Sequence, residues 1–200
     1  MKRPMTLVIE FSCAAICILL MFIFPAGNRK LLLLVAAFIL SYIGDRFLSS
    51  RGNSMYFVYG IGFYFIAHAC FLLYALIAIS KGRFSWPLLA AVTFPYLIFY
   101  FVALTRTPLL KENSVLAAAV LLYVLISCFS MAASVDFRGG LSLSLIFTAG
   151  IFCLLVSDTL IALGRFLQNR RFYFMMMPLF YTSHILIVLS VTLKNILHRN

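Results

Sequence analysis

Long apolar runs separated by short polar stretches extend along the whole chain. Runs of about 20 apolar residues are long enough to cross the hydrocarbon core of a bilayer as helices. By this criterion we expect seven spans, near residues 5–24, 30–49, 56–80, 85–104, 112–134, 140–164 and 172–194. The stretches between them, such as PAGNRK and TRTPLLKEN, are too short for a second domain. The pattern predicts an all-α, polytopic transmembrane helix bundle that forms a single domain over residues 1–200.

The composition supports this class of protein. Of the 200 residues, 64% are hydrophobic and 10% are charged, whereas soluble domains contain about 25% charged residues. The first apolar run contains Glu10, and no clear small-residue cleavage site follows it, so we expect a retained helix rather than a signal peptide. The net charge of +11 comes from basic residues scattered through every loop. This distribution indicates anionic membrane lipids as partners and argues against nucleic acid.

The basic residues also bear on orientation. With seven spans the termini lie on opposite faces of the membrane, and the face that carries the N-terminus has nine Lys and Arg residues against seven on the other. The difference favours an N-terminus in the cytoplasm. We therefore expect a multi-pass protein of the bacterial inner (cell) membrane. The sequence leaves the oligomeric state open.

No metal or cofactor site is predicted. All five cysteines lie inside apolar runs and none forms a CxxC pair, so neither a disulfide nor a zinc site is expected. No helix carries two histidines at ligand spacing.

Three of the five acidic residues, Glu10, Asp45 and Asp158, fall inside predicted spans. A carboxylate within a membrane costs about 2.5–3.5 kcal/mol on insertion scales and usually faces the bundle interior or a wet cavity. Counting 1.5 Å per residue from the helix ends puts all three within about 5–10 Å of the face that carries the N-terminus. The matched depth predicts one polar cavity near that interface, although a lone aspartate is as readily explained by helix packing.

Two histidines, His68 and His184, lie about 18 Å from the same face by this count. A single buried histidine is more often a core group, but two at one depth suggest the floor of the cavity. Tyr181 precedes His184 by three residues and shares its helix face. Small residues come directly before two of the acids, Gly44 before Asp45 and Ser157 before Asp158, where a helix or a ligand can approach closely.

Several segments carry a family resemblance. The segment GIFCLLVSDTLIALGRF (150–166) resembles the signature of the YhhN-like lysoplasmalogenase family. SYIGDRFL (41–48), AHACFLLY (67–74) and YVLISCFSMAAS (123–134) are similar to further helices of that family, as is KRPMT at the start. The series follows the family order over most of the chain. The seven predicted spans are one fewer than the eight of the family, and Ala67 replaces the glycine that it has before the histidine.

The resemblance implies hydrolysis of the vinyl-ether bond of lysoplasmalogens. Such a bond is cleaved by protonating its double bond, which calls for one protonated carboxylic acid and a second carboxylate, as in two-carboxylate glycosidases. We expect Asp45 and Asp158 to form this catalytic pair, in roles that stay open, with Glu10 in reserve. Arg165, seven residues after Asp158, would lie at the rim near the phosphate. The residues expected to bind the lysophospholipid substrate are Glu10, His68, Ser157, Arg165, Tyr181 and His184.

The residues alone leave two other classes open. Buried acids and histidines also relay protons in proton-coupled lipid or solute transporters. A non-catalytic lipid-binding membrane protein is the third alternative.

Overall fold

The computed structural model describes residues 30–49, 54–79, 84–135, 141–166 and 172–197. Within these ranges every regular element is helical. The helices are α1 (Leu31–Ser49), α2 (Ser54–Tyr74), α3 (Trp86–Arg106), α4 (Pro108–Glu112), α5 (Ser114–Ser134), α6 (Leu141–Phe166) and α7 (Phe172–Leu197). A π-helical turn, Ala75–Ile79, extends α2.

Six of these helices are long and apolar enough to cross a membrane. Because a bilayer offers no hydrogen bonds to the backbone, a spanning segment has to satisfy its own amides and carbonyls, and a helix does so within one segment. The predicted all-α polytopic bundle is therefore confirmed, and the six spans match the last six predicted ones within a few residues. The predicted span near 5–24 lies outside the described residues.

The ends of the helices carry the expected sequence signals. The side chain of Asn113 accepts a hydrogen bond from the amide of Leu116 at 2.9 Å, which caps the start of α5. Pro87 lies in the first turn of α3 and Pro108 begins α4, where a missing amide hydrogen costs nothing. Near the C-terminal end of α7, the ammonium group of Lys194 donates to the carbonyl of Ala78 in the π-helical turn.

The bundle is built on two tightly packed helix pairs, α6 with α7 and α1 with α2, while α5 bridges α2, α3 and α6. Glycines permit the close approach. A Cβ atom on Gly150 would lie 3.1 Å from the carbonyl oxygen of Ser183 across the first pair. In the second pair, Gly44 and Gly60 face each other's carbonyl oxygens in the same way, at 3.2 Å. Small residues at helix crossings are typical of membrane bundles, because packing replaces the hydrophobic effect there.

One end of the bundle holds the C-terminal ends of α1, α3 and α6 together with the whole of α4, and we call it the α4 end. An outer cluster of buried side chains fills it: Phe57, Ile61, Leu110 and Leu116. Leu110 is only 1% exposed although α4 has just five residues. Leu109 also packs against this cluster, partly buried, so two leucines hold the short helix against the bundle.

Candidate functional site

Asp158 lies on α6 at the centre of a buried hydrogen-bonded group. Its side-chain oxygen Oδ2 accepts a hydrogen bond from the hydroxyl of Tyr123 on α5. The imidazole Nε2 of His68 on α2 is 3.3 Å from the same oxygen and 3.1 Å from the hydroxyl of Tyr123. Asp158 is 8% exposed and His68 is fully buried. Three helices therefore each contribute one polar side chain to a single point inside the bundle.

The surrounding structure fixes the position of His68. Its ring makes edge contacts with Tyr123 and Phe71, with centroids 5.3 and 6.0 Å away. The hydroxyl of Ser130 on α5 donates to the backbone carbonyl of His68 at 2.9 Å, which ties α2 to α5 at this level. Because the ring packing and the backbone are both held, the imidazole is presented to Asp158 in one orientation.

Two atoms of this group have no hydrogen-bond partner among the described residues, although both are buried. They are Oδ1 of Asp158 and Nδ1 of His68. A buried polar atom without a partner costs about 1–3 kcal/mol, so such atoms are uncommon in a purely structural core. Oδ2 of Asp158 is hydrogen-bonded and Oδ1 is not, so Oδ1 is available for a hydrogen bond to a ligand.

Asp45 joins the group through a second tyrosine. The hydroxyl of Tyr64 on α2 donates to Oδ1 of Asp45 at 2.9 Å. The ring of Tyr64 packs edge-on against Tyr123, with centroids 6.5 Å apart. Contacts therefore lead from Asp45 on α1 through Tyr64 and Tyr123 to Asp158 on α6, with His68 beside Asp158. We call these five residues the polar cluster.

Two pockets meet at Asp158 and Tyr123, and both extend from there towards the α4 end. The α2 pocket is lined by Leu48, Phe57, Ile61, Tyr64, Val120, Tyr123, Asp158, Ile161, Ala162 and Phe166. The α3 pocket is lined by Tyr96, Phe99, Tyr100, Ala103, Val120, Tyr123, Val124, Leu155, Asp158, Thr159, Ala162 and Phe166. Their walls are mainly apolar, and Asp158 is the acidic residue in both. Sites for small ligands commonly combine an apolar wall with a few polar groups in this way.

The structure separates the other predicted site residues from this point. The hydroxyl of Ser157 donates to the carbonyl of Met176 at 3.0 Å, so it holds α6 against α7 and lines neither pocket. Nδ1 of His184 donates to the carbonyl of Phe180 at 2.8 Å. Its ring packs at a tilt against the rings of Phe38 and Phe180, with centroids 4.7 and 4.2 Å away.

Tyr181 on α7 is partly buried against the hydrophobic core of the bundle and lines neither pocket. Glu10 and the side chain of Arg165 lie outside the described part of the chain. Within that part, no group of three His, Cys, Asp or Glu side chains could hold a metal ion.

Comparison with known protein families gives a match over most of the chain. The model of the YhhN family matches residues 7–191 of the chain. The chain belongs to the YhhN family. The resemblance seen in the sequence is thereby confirmed, and it supports a lysoplasmalogenase-like family. No curated protein and no solved structure gives a significant match.

In this YhhN protein the two tyrosines of the polar cluster were not predicted as site residues. Each nevertheless has a sequence signal. Tyr64 precedes His68 by four residues and therefore shares its helix face. Tyr123 is the first residue of the YVLISCFSMAAS segment (123–134) that resembles a family helix. A hydroxyl on the face of a suspected site histidine is the pattern that identifies Tyr64.

Gly44 makes room for Tyr64 in the YhhN protein. A Cβ atom at Gly44 would lie 2.6 Å from Cδ2 of the Tyr64 ring. We expect Gly44→Ala to push this ring away from Asp45 and to lower the free energy of unfolding by about 1–3 kcal/mol, the usual cost of overpacking. Thermal unfolding of the purified protein in detergent measures the effect.

The matched control is Gly62→Ala on α2. A Cβ atom there meets nothing within 4 Å, so we expect an unchanged or slightly higher unfolding temperature. Equal unfolding temperatures for the two variants would contradict the tight fit between Gly44 and Tyr64.

Proposed function

We propose that this membrane protein is a lysoplasmalogenase-like hydrolase. It cleaves the vinyl-ether bond of a lysoplasmalogen and releases a fatty aldehyde and glycerophosphoethanolamine or glycerophosphocholine. The observation that carries the proposal is the buried carboxyl of Asp158, which has one bonded oxygen and one unpartnered oxygen at the junction of two apolar pockets. Membership of the YhhN family supports it. The proposed location is the inner (cell) membrane of a bacterium, where the substrate is already part of the bilayer.

In the proposed reaction Asp158 is the general acid. Its protonated carboxyl transfers a proton from Oδ1 to the vinyl carbon that is remote from the ether oxygen. The double bond is consumed, an oxocarbenium ion forms, and Asp158 becomes a carboxylate. The hydroxyl of Tyr123, which donates to Oδ2, and the imidazole of His68 beside it stabilise the new negative charge. A donor in place before the reaction needs no reorganisation when this charge develops.

Water completes the reaction. It adds to the carbon that bears the ether oxygen and gives one proton to the carboxylate of Asp158, which forms a hemiacetal. The hemiacetal then loses its hydroxyl proton, its bond to the ether oxygen breaks, and that oxygen takes up a proton. The products are the aldehyde and the glycerophospho-alcohol. One water is consumed, and Asp158 ends in its starting protonated form.

Asp45 has an indirect role in this scheme. It lines neither pocket, and its Oδ1 accepts the hydrogen bond from Tyr64, whose ring lines the α2 pocket. We assign Asp45 as the second carboxylate, which orients Tyr64 and attracts the positive charge of the oxocarbenium ion from behind the tyrosine. This division makes Asp158 the acid and Asp45 a positioning residue.

The proposal is tested with the purified protein in detergent and lysoplasmenyl lipids of both headgroups. We expect aldehyde and glycerophospho-alcohol to appear in equal amounts. The saturated ether analogue has no double bond to protonate, so it is expected to inhibit without being cleaved. Absence of aldehyde under conditions where the protein stays folded would refute the proposal, and protein-dependent proton flux in vesicles would favour a transporter instead.

A further inference from the structure

Among the six described spans, α3 is the most exposed to the surrounding bilayer. Only 11% of its span is buried inside the bundle, against 39–44% for the other five. It packs chiefly against α5 and does not approach the backbone of α6 closely. Large apolar side chains project outward from α3: Trp86, Phe94, Ile98, Phe101 and Val102. The α3 pocket lies between this helix and α6.

The polar groups in the wall of the α3 pocket are already bonded to one another. The hydroxyl of Tyr96 donates to Oγ1 of Thr159 at 2.7 Å, and Oγ1 in turn donates to the carbonyl of Leu155 at 2.7 Å. The hydroxyl of Tyr100 donates to the carbonyl of Ala117 at 3.1 Å. What the pocket offers a ligand is therefore apolar surface plus the carboxyl of Asp158. Among the described residues that line this pocket, none is a cation that could bind a phosphate.

The α2 pocket differs in the helices that line it. Its wall belongs to α1, α2, α5 and α6, each with 39–44% of its span buried inside the bundle. Phe57 and Ile61, which form much of that wall, are 6% and 8% exposed and belong to the outer cluster at the α4 end. Neither of these two side chains lines the α3 pocket.

We propose that the α3 pocket holds the aliphatic chain of a single-chain lipid, with the bond to be cleaved at Asp158. The identity of that lipid rests on the proposed function, but the placement of the chain does not. Lipid tails are as apolar as leucine side chains, so moving a chain from the bilayer into the pocket gains little from the hydrophobic effect. The pocket instead fixes the reactive bond opposite Oδ1 of Asp158 and excludes water from it. Ala103 then determines how much room the chain has.

The test is photolabelling with a saturated ether lysophospholipid that carries a diazirine in its hexadecyl chain. This probe cannot be cleaved, so the result does not depend on turnover. Labelled residues are located by mass spectrometry, with unlabelled ether lipid as competitor.

We expect competable labelling, which is labelling that the competitor suppresses, at residues that line only the α3 pocket: Phe99, Ala103, Val124 and Leu155. Competable labelling at residues that line only the α2 pocket would overturn the assignment: Leu48, Phe57 and Ile61. Labelling confined to the bilayer-facing Phe94, Ile98 and Phe101 would overturn it as well.

Three phenylalanine substitutions give an independent check. Ala103→Phe places a ring in the α3 pocket, where it occupies the space of the lipid chain. It is expected to reduce competable labelling at Val124 about tenfold or more. Ala91→Phe, at an exposed position of the same helix, and Leu48→Phe, in the α2 pocket, are expected to leave it within about twofold. A loss with Leu48→Phe and none with Ala103→Phe would refute the proposal. Labelling of the α3 pocket without vinyl-ether cleavage would refute only the hydrolase function, and cleavage with labelling of the α2 pocket would refute only this assignment.

Discussion

Asp158→Asn is expected to lower the turnover of a lysoplasmenyl lipid by about 10²- to 10⁴-fold, the usual contribution of a general acid. The amide has the size of the carboxyl, and its oxygen can still accept the hydrogen bond from Tyr123, so the bundle is expected to fold normally. What the variant lacks is a proton that can be transferred to carbon. Aldehyde release by the purified variant measures the effect, and its unfolding temperature in detergent shows whether the fold is kept.

The neighbouring Ser157→Ala variant is the matched control. Ser157 is also buried, but it donates to the carbonyl of Met176 and lines neither pocket. Its loss is expected to reduce stability by about 1 kcal/mol and turnover by less than tenfold. Asp45→Asn is expected to fall between the two, because Asp45 reaches Asp158 only through Tyr64 and Tyr123. Near-normal turnover in Asp158→Asn would make that residue a packing group and remove the acid from the scheme.

Tyr123→Phe is expected to lower turnover by about 10- to 100-fold. The hydroxyl donates to Oδ2 of Asp158 and lies 3.1 Å from Nε2 of His68. A hydrogen bond to a charged group contributes about 1.5–3 kcal/mol, and about 1.4 kcal/mol corresponds to a tenfold change in rate. The loss falls mainly on turnover rather than on substrate affinity, because the charge on Asp158 develops only during proton transfer.

Tyr100→Phe provides the control for this variant. The ring of Tyr100 lines the α3 pocket and is kept in this variant. The hydroxyl that is removed is also buried and hydrogen-bonded, but it donates to the backbone carbonyl of Ala117 rather than to the polar cluster. Removing it is expected to lower the unfolding temperature while turnover changes by less than a factor of about three. If the two variants lose activity equally, the hydroxyl of Tyr123 has no special part in the reaction.

The positions of the membrane helices could be predicted from the sequence because a bilayer makes length and apolarity decisive. Six of the seven predicted spans match described helices within a few residues. The five-residue helix α4 was predicted as part of a polar loop. It forms because Pro108 suits a first helical turn and because Leu110 is buried in the outer cluster. Burial of a single leucine is a tertiary effect that a pattern of hydrophobicity does not contain.

The candidate site was less accessible to sequence reasoning, because depth along a helix says nothing about which way a side chain faces across the bundle. His68 and His184 were expected to lie at one depth, below the acids. Instead, Nε2 of His68 is 3.3 Å from Oδ2 of Asp158, while His184 packs between the tilted rings of Phe38 and Phe180. Phe38 and Phe71 pack edge-on between the two histidines. The depth estimate counts residues from the helix ends and assumes that all helices begin at the same height. It contains no information on which helix faces pack against each other.

The central claim is that a proton from Asp158 goes to carbon in the first step. It is tested most directly by carrying out the reaction in deuterated buffer and reducing the released aldehyde at once to its alcohol, before its acidic hydrogens can exchange. Authentic aldehyde treated in the same way corrects for exchange. The account predicts one deuterium on the carbon next to the former aldehyde and a slower turnover in deuterated buffer. Aldehyde released without that deuterium would contradict it.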